Sequence, residues 1–226
     1  MDNGTFVVIP AFNEEKTISS VIKSVKKYFN KIIVVDDGST DKTYEIAKKH
    51  KVNVLRHCIN LGAGSATMTG IEYAIDKKAE IIATIDADEQ HLARDLKRVV
   101  DSVAVDKADI AIGSRLFIFS REVPAKKRFG NLLLTYAINF LSGAKITDSQ
   151  SGLRAFKSGV FQKIKFNSRD FSMSSEIIMS AHRNKLNIRE VPIKAIYTDY
   201  SKSKGTTIMT GAKILFTILY GKLLGD

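Results

Sequence analysis

The chain has 226 residues, 44% of them apolar, which suits a single domain over residues 1–226 with an ordinary core. One cysteine, Cys58, excludes an internal disulfide framework and fits a reducing compartment. The net charge of +11 asks for an anionic partner, yet no nucleic-acid module or aromatic-basic interleaving accompanies it, so nucleic acid is not expected.

The charge is unevenly spread. Residues 1–96 hold 13 Lys and Arg against 14 Asp and Glu, residues 97–169 hold 14 against 5, and residues 170–226 hold 8 against 5. All of the excess follows the first 96 residues, which leaves a phosphorylated substrate or an acidic membrane surface as the partner. The opening Met1-Asp2-Asn3-Gly4 has no basic and apolar leader character, so no secretory signal is expected.

In chain order, Phe6-Val7-Val8-Ile9 predicts a strand and Thr17 to Phe29 an amphipathic helix. Ile32-Ile33-Val34-Val35 precedes a helix over Asp41 to Lys49, and Val52-Asn53-Val54-Leu55 precedes one from about Ser65 to Lys77. Ile81 to Ile85 leads to a helix over Ala93 to Val105, and Asp109 to Gly113 is a further strand. This alternation predicts an α/β fold, a mostly parallel sheet flanked by helices. In the second half, Lys126-Lys127-Arg128 introduces an uncharged apolar run from Phe129 to Leu141, and a second run covers Ile208 to Leu224. Both are short for a membrane span. The segments 126–141 and 208–224 read as interfacial helices against an anionic membrane, the alternative being helices packed on the sheet or in a dimer interface.

The chemistry gathers at strand ends. Ile85-Asp86-Ala87-Asp88-Glu89-Gln90-His91 places two carboxylates one residue apart just after an apolar run. Ligands of open α/β sheets collect at that edge, and Mg²⁺ or Mn²⁺ favours carboxylate oxygens shared with substrate phosphates. The first strand ends in Pro10-Ala11-Phe12-Asn13-Glu14-Glu15 and the second in Asp36-Asp37-Gly38-Ser39-Thr40-Asp41. Ser39 or Thr40 suits a helix cap and Asp41 a first turn, whereas capping leaves Asp37 unexplained. Three acidic strand ends at one edge repel one another unless a cation or donors compensate. Asn60-Leu61-Gly62-Ala63-Gly64-Ser65-Ala66 serves either as an anion cradle or as tight helix packing. It is neither a dinucleotide fingerprint nor a Walker loop.

These motifs, with Gly113-Ser114-Arg115, resemble in order the family 2 inverting glycosyltransferases of GT-A fold, which is Rossmann-like. Arg128-Phe129-Gly130-Asn131 and the run Asp148 to Phe156 narrow the likeness to the dolichol-phosphate mannose synthase and polyprenyl-phosphate hexosyltransferase group, over nearly the whole chain. The resemblance implies that Pro10, Phe12 and Glu14 hold the nucleotide and that Val35 and Asp37 line its base and ribose. It implies Asp86, Asp88 and Gln90 as metal ligands, with Ile85 and Ala87 in backbone contact with the sugar nucleotide. Asp88 and Arg115 would carry catalysis, Arg115, Arg128 and Arg154 would face the acceptor phosphate, and Lys204 would close over the diphosphate. The expected reaction moves a hexose, with GDP-mannose favoured over UDP-glucose or UDP-N-acetylglucosamine, onto dolichyl or polyprenyl phosphate at the cytoplasmic membrane face. A hydroxyl acceptor would instead need a base, for which Asp148 is the candidate. A catalytically silent sugar-nucleotide-binding protein is the reading from another class, and the intact acid pair counts against it. Three departures stand out: Phe12 in place of tyrosine, no prolines after His91, and no arginine and glycine before Lys204.

Overall fold

A computed structural model describes residues 4–115, 125–164, 173–194 and 196, with the backbone alone for 125–129. Seven strands form one sheet: β1 (Thr5–Ala11), β2 (Lys31–Asp36), β3 (Asn53–Arg56), β4 (Ile81–Thr84), β5 (Ile110–Ser114), β6 (Arg154–Lys157) and β7 (Ile188–Pro192). Their order is β3-β2-β1-β4-β6-β5-β7. Every pairing is parallel except those of β6, which runs against both β4 and β5. The predicted parallel α/β sheet is therefore present. β6, β7 and the helix between them lie beyond the elements that the sequence pattern marked.

Side-chain alternation divides the core. Val7, Ile9, Ala83, Ile85, Ala111 and Ala155 point to one face, beneath α1 (Ile18–Val25), α2 (Thr43–Lys49) and α4 (Ala93–Ala104). Ala83 and Ala111 both pair with Ala155. This row of methyl groups lets Leu96, Val99, Val100 and Val103 of α4 lie close to the sheet. On the other face Phe6, Val8, Ile33 and Val35 pack under α3 (Ala63–Asp76). A side chain at Gly70 would run into Val8, so glycine sets the depth of that helix. Ile110, Ile112 and Phe156 pack under α5 (Ala125–Ser142) and α6 (Met173–Arg183).

α1 ends at Val25 rather than at Phe29, and two helix starts differ from expectation for local reasons. α2 starts at Thr43, and Asp41 is its cap in function, its Oδ1 accepting from the Thr43 N–H at 2.9 Å. Ser39 and Thr40 bond instead to the loop after β1, through Asn13. α3 starts at Ala63, because Gly62 at φ 98° turns the chain directly into it. The apolar run at 126–141 is a helix, as predicted. The run at 208–224 lies outside the described residues.

Candidate active site

The carboxyl ends of β1, β2, β4, β5 and β7 and the amino end of β6 meet at one edge of the sheet. Strand order sets β2, β1 and β4 side by side, so the three acid-bearing loops are adjacent. The first two are laced together: the Glu14 N–H donates to Thr43 Oγ1 at 2.7 Å, and the Asn13 N–H to Ser39 Oγ at 2.9 Å. Glu14 is buried and accepts from the Thr17 hydroxyl at 2.8 Å, whereas Phe12 is 41% exposed. Val35, Ile85 and Ala87 are core side chains, which leaves only their backbone for a ligand.

Asp86 and Asp88 stand at the centre of this edge. Burial opposes ionisation of Asp86, but His91, Arg115 and Arg154 outweigh it and hold its pKa below the usual carboxylate value. Its Oδ2 lies 3.6 Å from His91 Nε2. Asp88 goes the other way: burial first, then the Asp86 charge and, more weakly, Glu14 push it up to about 6. Glu89, at φ 62°, turns the chain so that the Gln90 N–H reaches Asp88 Oδ1 at 3.1 Å. Gln90 is buried, and so is His91, whose Nδ1 has no hydrogen-bond partner among the described residues.

Arg115 reaches the same edge from β5 and grips Asp148 in a two-pronged ion pair, Nε to Oδ2 at 2.7 Å and a terminal nitrogen to Oδ1 at 2.9 Å. Asp148 is fully buried, and although burial alone would raise its pKa, Arg115 and the N–H groups of Arg115 and Gln150 hold it low. An ionised carboxylate saturated in this way is a poor general base, which corrects the role given to Asp148 for a hydroxyl acceptor. Gly152 presses its backbone against the Asp86 carboxylate, with which any Cβ would collide, and its carbonyl accepts from the Thr84 hydroxyl at 2.7 Å.

Two further expectations change. Asp37 does not face a ligand: His57, the Leu61 N–H and the Gly62 N–H donate to it at 2.7, 2.9 and 2.8 Å. The Asn60–Ala66 turn therefore does cradle an anion, the protein's own Asp37. The unmet acceptor is Asp36, fully buried beside Arg56 Nε at 3.0 Å, with neither oxygen hydrogen-bonded among the described residues. Arg154 is likewise no accessible phosphate ligand. It is 3% exposed and donates to the carbonyls of Ser149, Ser151 and Ser174, and burial lowers its pKa to about 10. It braces the 149–152 turn and lends its charge to Asp86. Lys204 and the Arg128 side chain lie outside the described residues. Gly152, Asp36 and His91 had no distinct signal in the sequence, since each acts through a contact that only the fold creates.

Among the described residues, no three His, Cys, Asp or Glu side chains approach closely enough to hold a metal by themselves. The pair Asp86 and Asp88 still fits a hard divalent cation that completes its shell with substrate oxygens, because a cation would offset the burial and the Asp86 charge that together push the Asp88 pKa up.

The family described as Glycosyl transferase family 2 matches residues 6–165. A UDP-N-acetylglucosamine–dolichyl-phosphate N-acetylglucosaminyltransferase of Methanococcus voltae is 37% identical, over 98% of this chain and 97% of its own length. A polyprenol monophosphomannose synthase of Mycolicibacterium smegmatis is 28% identical over 93% of this chain and 82% of its own. Among solved structures, glucosyl-3-phosphoglycerate synthase from Mycobacterium tuberculosis, in complex with Mn²⁺, UDP and phosphoglyceric acid, superposes with a TM-score of 0.74 at 19% identity, over 96% of this chain and 77% of that one. That likeness shows a shared GT-A fold. The acid pair at the strand edge, the fold around it and the near full-length relatives give one conclusion: the chain belongs to glycosyl transferase family 2, in its dolichyl- and polyprenyl-phosphate glycosyltransferase group.

Proposed function

We propose that this protein transfers an N-acetylhexosamine or hexose from a nucleotide sugar to the phosphate of a dolichyl or polyprenyl lipid, with inversion at the anomeric carbon. The observation that carries the phosphate acceptor is Asp148. It was the candidate base for a hydroxyl acceptor, and Arg115 holds it ionised and occupied. A phosphomonoester oxygen is already largely ionised at neutral pH, its second pKa being about 6, so no strong base is required.

In this reading Phe12 offers an open ring face to the nucleotide, and the backbone of Ile85 and Ala87 lines the sugar nucleotide. Asp86 and Asp88, with the Gln90 amide, would hold Mg²⁺ or Mn²⁺. A cation there would supply charge neutralisation for the departing nucleoside diphosphate. Arg115, fixed by Asp148, directs its positive field at the same point. UDP-N-acetylglucosamine becomes the preferred donor, because the 37% identical relative of matching length is named for it. GDP-mannose, favoured by the motif resemblance, is second and has its support in the 28% identical synthase.

No helix among the described residues is long and apolar enough to cross a membrane. α5 offers another route to the lipid. Leu134 and Ile138 of this helix are buried, whereas Leu132, Leu133, Tyr136 and Phe140 are 44–79% exposed. Together with Lys126, Lys127 and Arg128 at its start, this face suits peripheral docking on an anionic bilayer. The reading puts the enzyme at the cytoplasmic face, where nucleotide sugars are made.

The test is a matrix of radiolabelled UDP-N-acetylglucosamine, UDP-glucose and GDP-mannose with dolichyl or undecaprenyl phosphate, with and without EDTA. Label should enter the lipid best from UDP-N-acetylglucosamine, and EDTA should abolish it. No labelled lipid from any donor with Mg²⁺ or Mn²⁺ present would overturn the proposal, and EDTA-resistant transfer would remove the metal from it.

A further inference from the structure

Arg115 and its counter-ion are held in turn from the far edge of the sheet. Glu190 lies in β7, the last strand, opposite Ile112 of β5. An acid on an edge strand ordinarily faces water, but three donors converge on this carboxylate in four contacts. The Thr147 N–H reaches Oε1 at 2.8 Å and Oε2 at 2.9 Å, the Thr147 hydroxyl reaches Oε1 at 2.9 Å, and the Asp148 N–H reaches Oε1 at 3.0 Å. The hydroxyl's single proton goes to Glu190. Its 2.7 Å contact with Ser114 Oγ therefore has Ser114 as donor. Ser114 is fully buried and immediately precedes Arg115.

The two residues that set the Arg115 guanidinium are thus both tied to one carboxylate. Asp148, its ion-pair partner, is tied through the Asp148 N–H. Ser114, its chain neighbour, is tied through Thr147. Bonds to an ionised acceptor are the strong ones, so this small network fixes an angle as well as a position.

We propose that Glu190 is a positioning residue, which through Thr147 and Asp148 aims Arg115 at Asp86 of the acid pair. The inference rests on the reading of Arg115 as part of the phosphate-handling machinery. Such a residue acts on the geometry of another group, where a misplacement of about 1 Å is worth on the order of 100-fold in rate.

The experiment uses the full chain labelled with ¹⁵N-arginine and follows Nε–H resonances by NMR, with transfer kinetics alongside. Arg154 donates its Nε–H to the Ser151 carbonyl at 2.9 Å and serves as an internal reporter of folding. Arg115→Lys assigns the Arg115 resonance. Glu190→Ala should broaden or abolish the Arg115 signal and leave that of Arg154. It should also lower kcat about 10- to 100-fold, with the donor KM changed less than about threefold. Glu190→Gln keeps an acceptor oxygen for the Thr147 and Asp148 N–H groups, and should restore the signal and most of kcat. An unchanged Arg115 signal in Glu190→Ala would overturn the proposal, and so would joint loss of both signals, which would mark a general role in folding. If Arg115→Lys transfers sugar at the wild-type rate, the reading of Arg115 fails separately, and the resonances still decide whether Glu190 aims it.

Discussion

Asp86 shows how much of the proposed site lies outside its ligand atoms. Gly152 has no side chain to contribute, yet its backbone occupies the space that fixes the direction of that carboxylate. Gly152→Ala would push aside the end of a short side chain rather than backbone, so the cost should fall on the site and not on the fold. We predict a melting temperature within about 3 °C of wild type, less than about 1 kcal/mol for a chain of this size. Mn²⁺ affinity should weaken about 10- to 100-fold, the range for lost support of a metal ligand. Titration of free Mn²⁺ by electron paramagnetic resonance checks this, and wild-type affinity in the variant would remove Gly152 from the site. At this scale the sequence was legible where chemistry is local. The acids of Asp86-Ala87-Asp88 were readable because one strand delivers both. Asp37 and Arg154 were misread because a carboxylate or guanidinium does not announce its partners. Those partners sit 20 to 25 residues from Asp37 in the chain, in a turn that only the β2–β3 pairing brings near.

At the scale of elements, periodicity read the first five strands well, because each alternates with a helix of its own. β6 and β7 escaped it for a physical reason. β6 has four residues, Arg-Ala-Phe-Lys, with a buried arginine at its start, and β7 is an edge strand with Arg189 and Glu190 in its middle. Neither shows an apolar run. α5 reads in the sequence as an uncharged apolar run, and the structure divides that surface in two, Leu134 and Ile138 inward and Leu133, Tyr136 and Phe140 outward. The two faces should separate in experiment. Tyr136→Glu or Phe140→Glu should leave the circular-dichroism melt unchanged, because these side chains are 71% and 79% exposed. Each should weaken sedimentation with vesicles containing phosphatidylserine about tenfold or more, from the loss of roughly 1.5–3 kcal/mol of apolar burial. Transfer to a short, water-soluble isoprenyl phosphate should survive. Unchanged vesicle binding in both variants would take the outer face of α5 out of the membrane contact.

Across the whole molecule, charge is partitioned along the chain, with acids at the ends of the early strands and the cationic excess after residue 96. The two sets meet where Arg115 and Arg154 join His91 in holding the Asp86 pKa down, while burial first, and then the Asp86 charge, raises Asp88 to about 6. This arrangement makes stability depend on pH with a definite sign. A carboxyl raised from 3.8 to about 6 on folding contributes stability that is complete below 3.8 and is lost as pH rises through about 6. The metal-free protein therefore carries its full penalty at pH 7.5 and roughly half of it at pH 5. A shift of this size corresponds to about 3 kcal/mol before screening, and to about 1–2 kcal/mol once the partial exposure of Asp88 is discounted. Saturating Mn²⁺ removes the repulsion only where Asp88 is ionised, since at lower pH a proton competes for the same oxygen. Mn²⁺ should thus raise the melting temperature several degrees more at pH 7.5 than at pH 5, by differential scanning fluorimetry without nucleotide. In Asp88→Asn the metal-free protein should melt higher than wild type at pH 7.5, and the pH dependence of the Mn²⁺ effect should vanish. An equal Mn²⁺ shift at both pH values in the wild type would mean that the acid pair does not hold the cation.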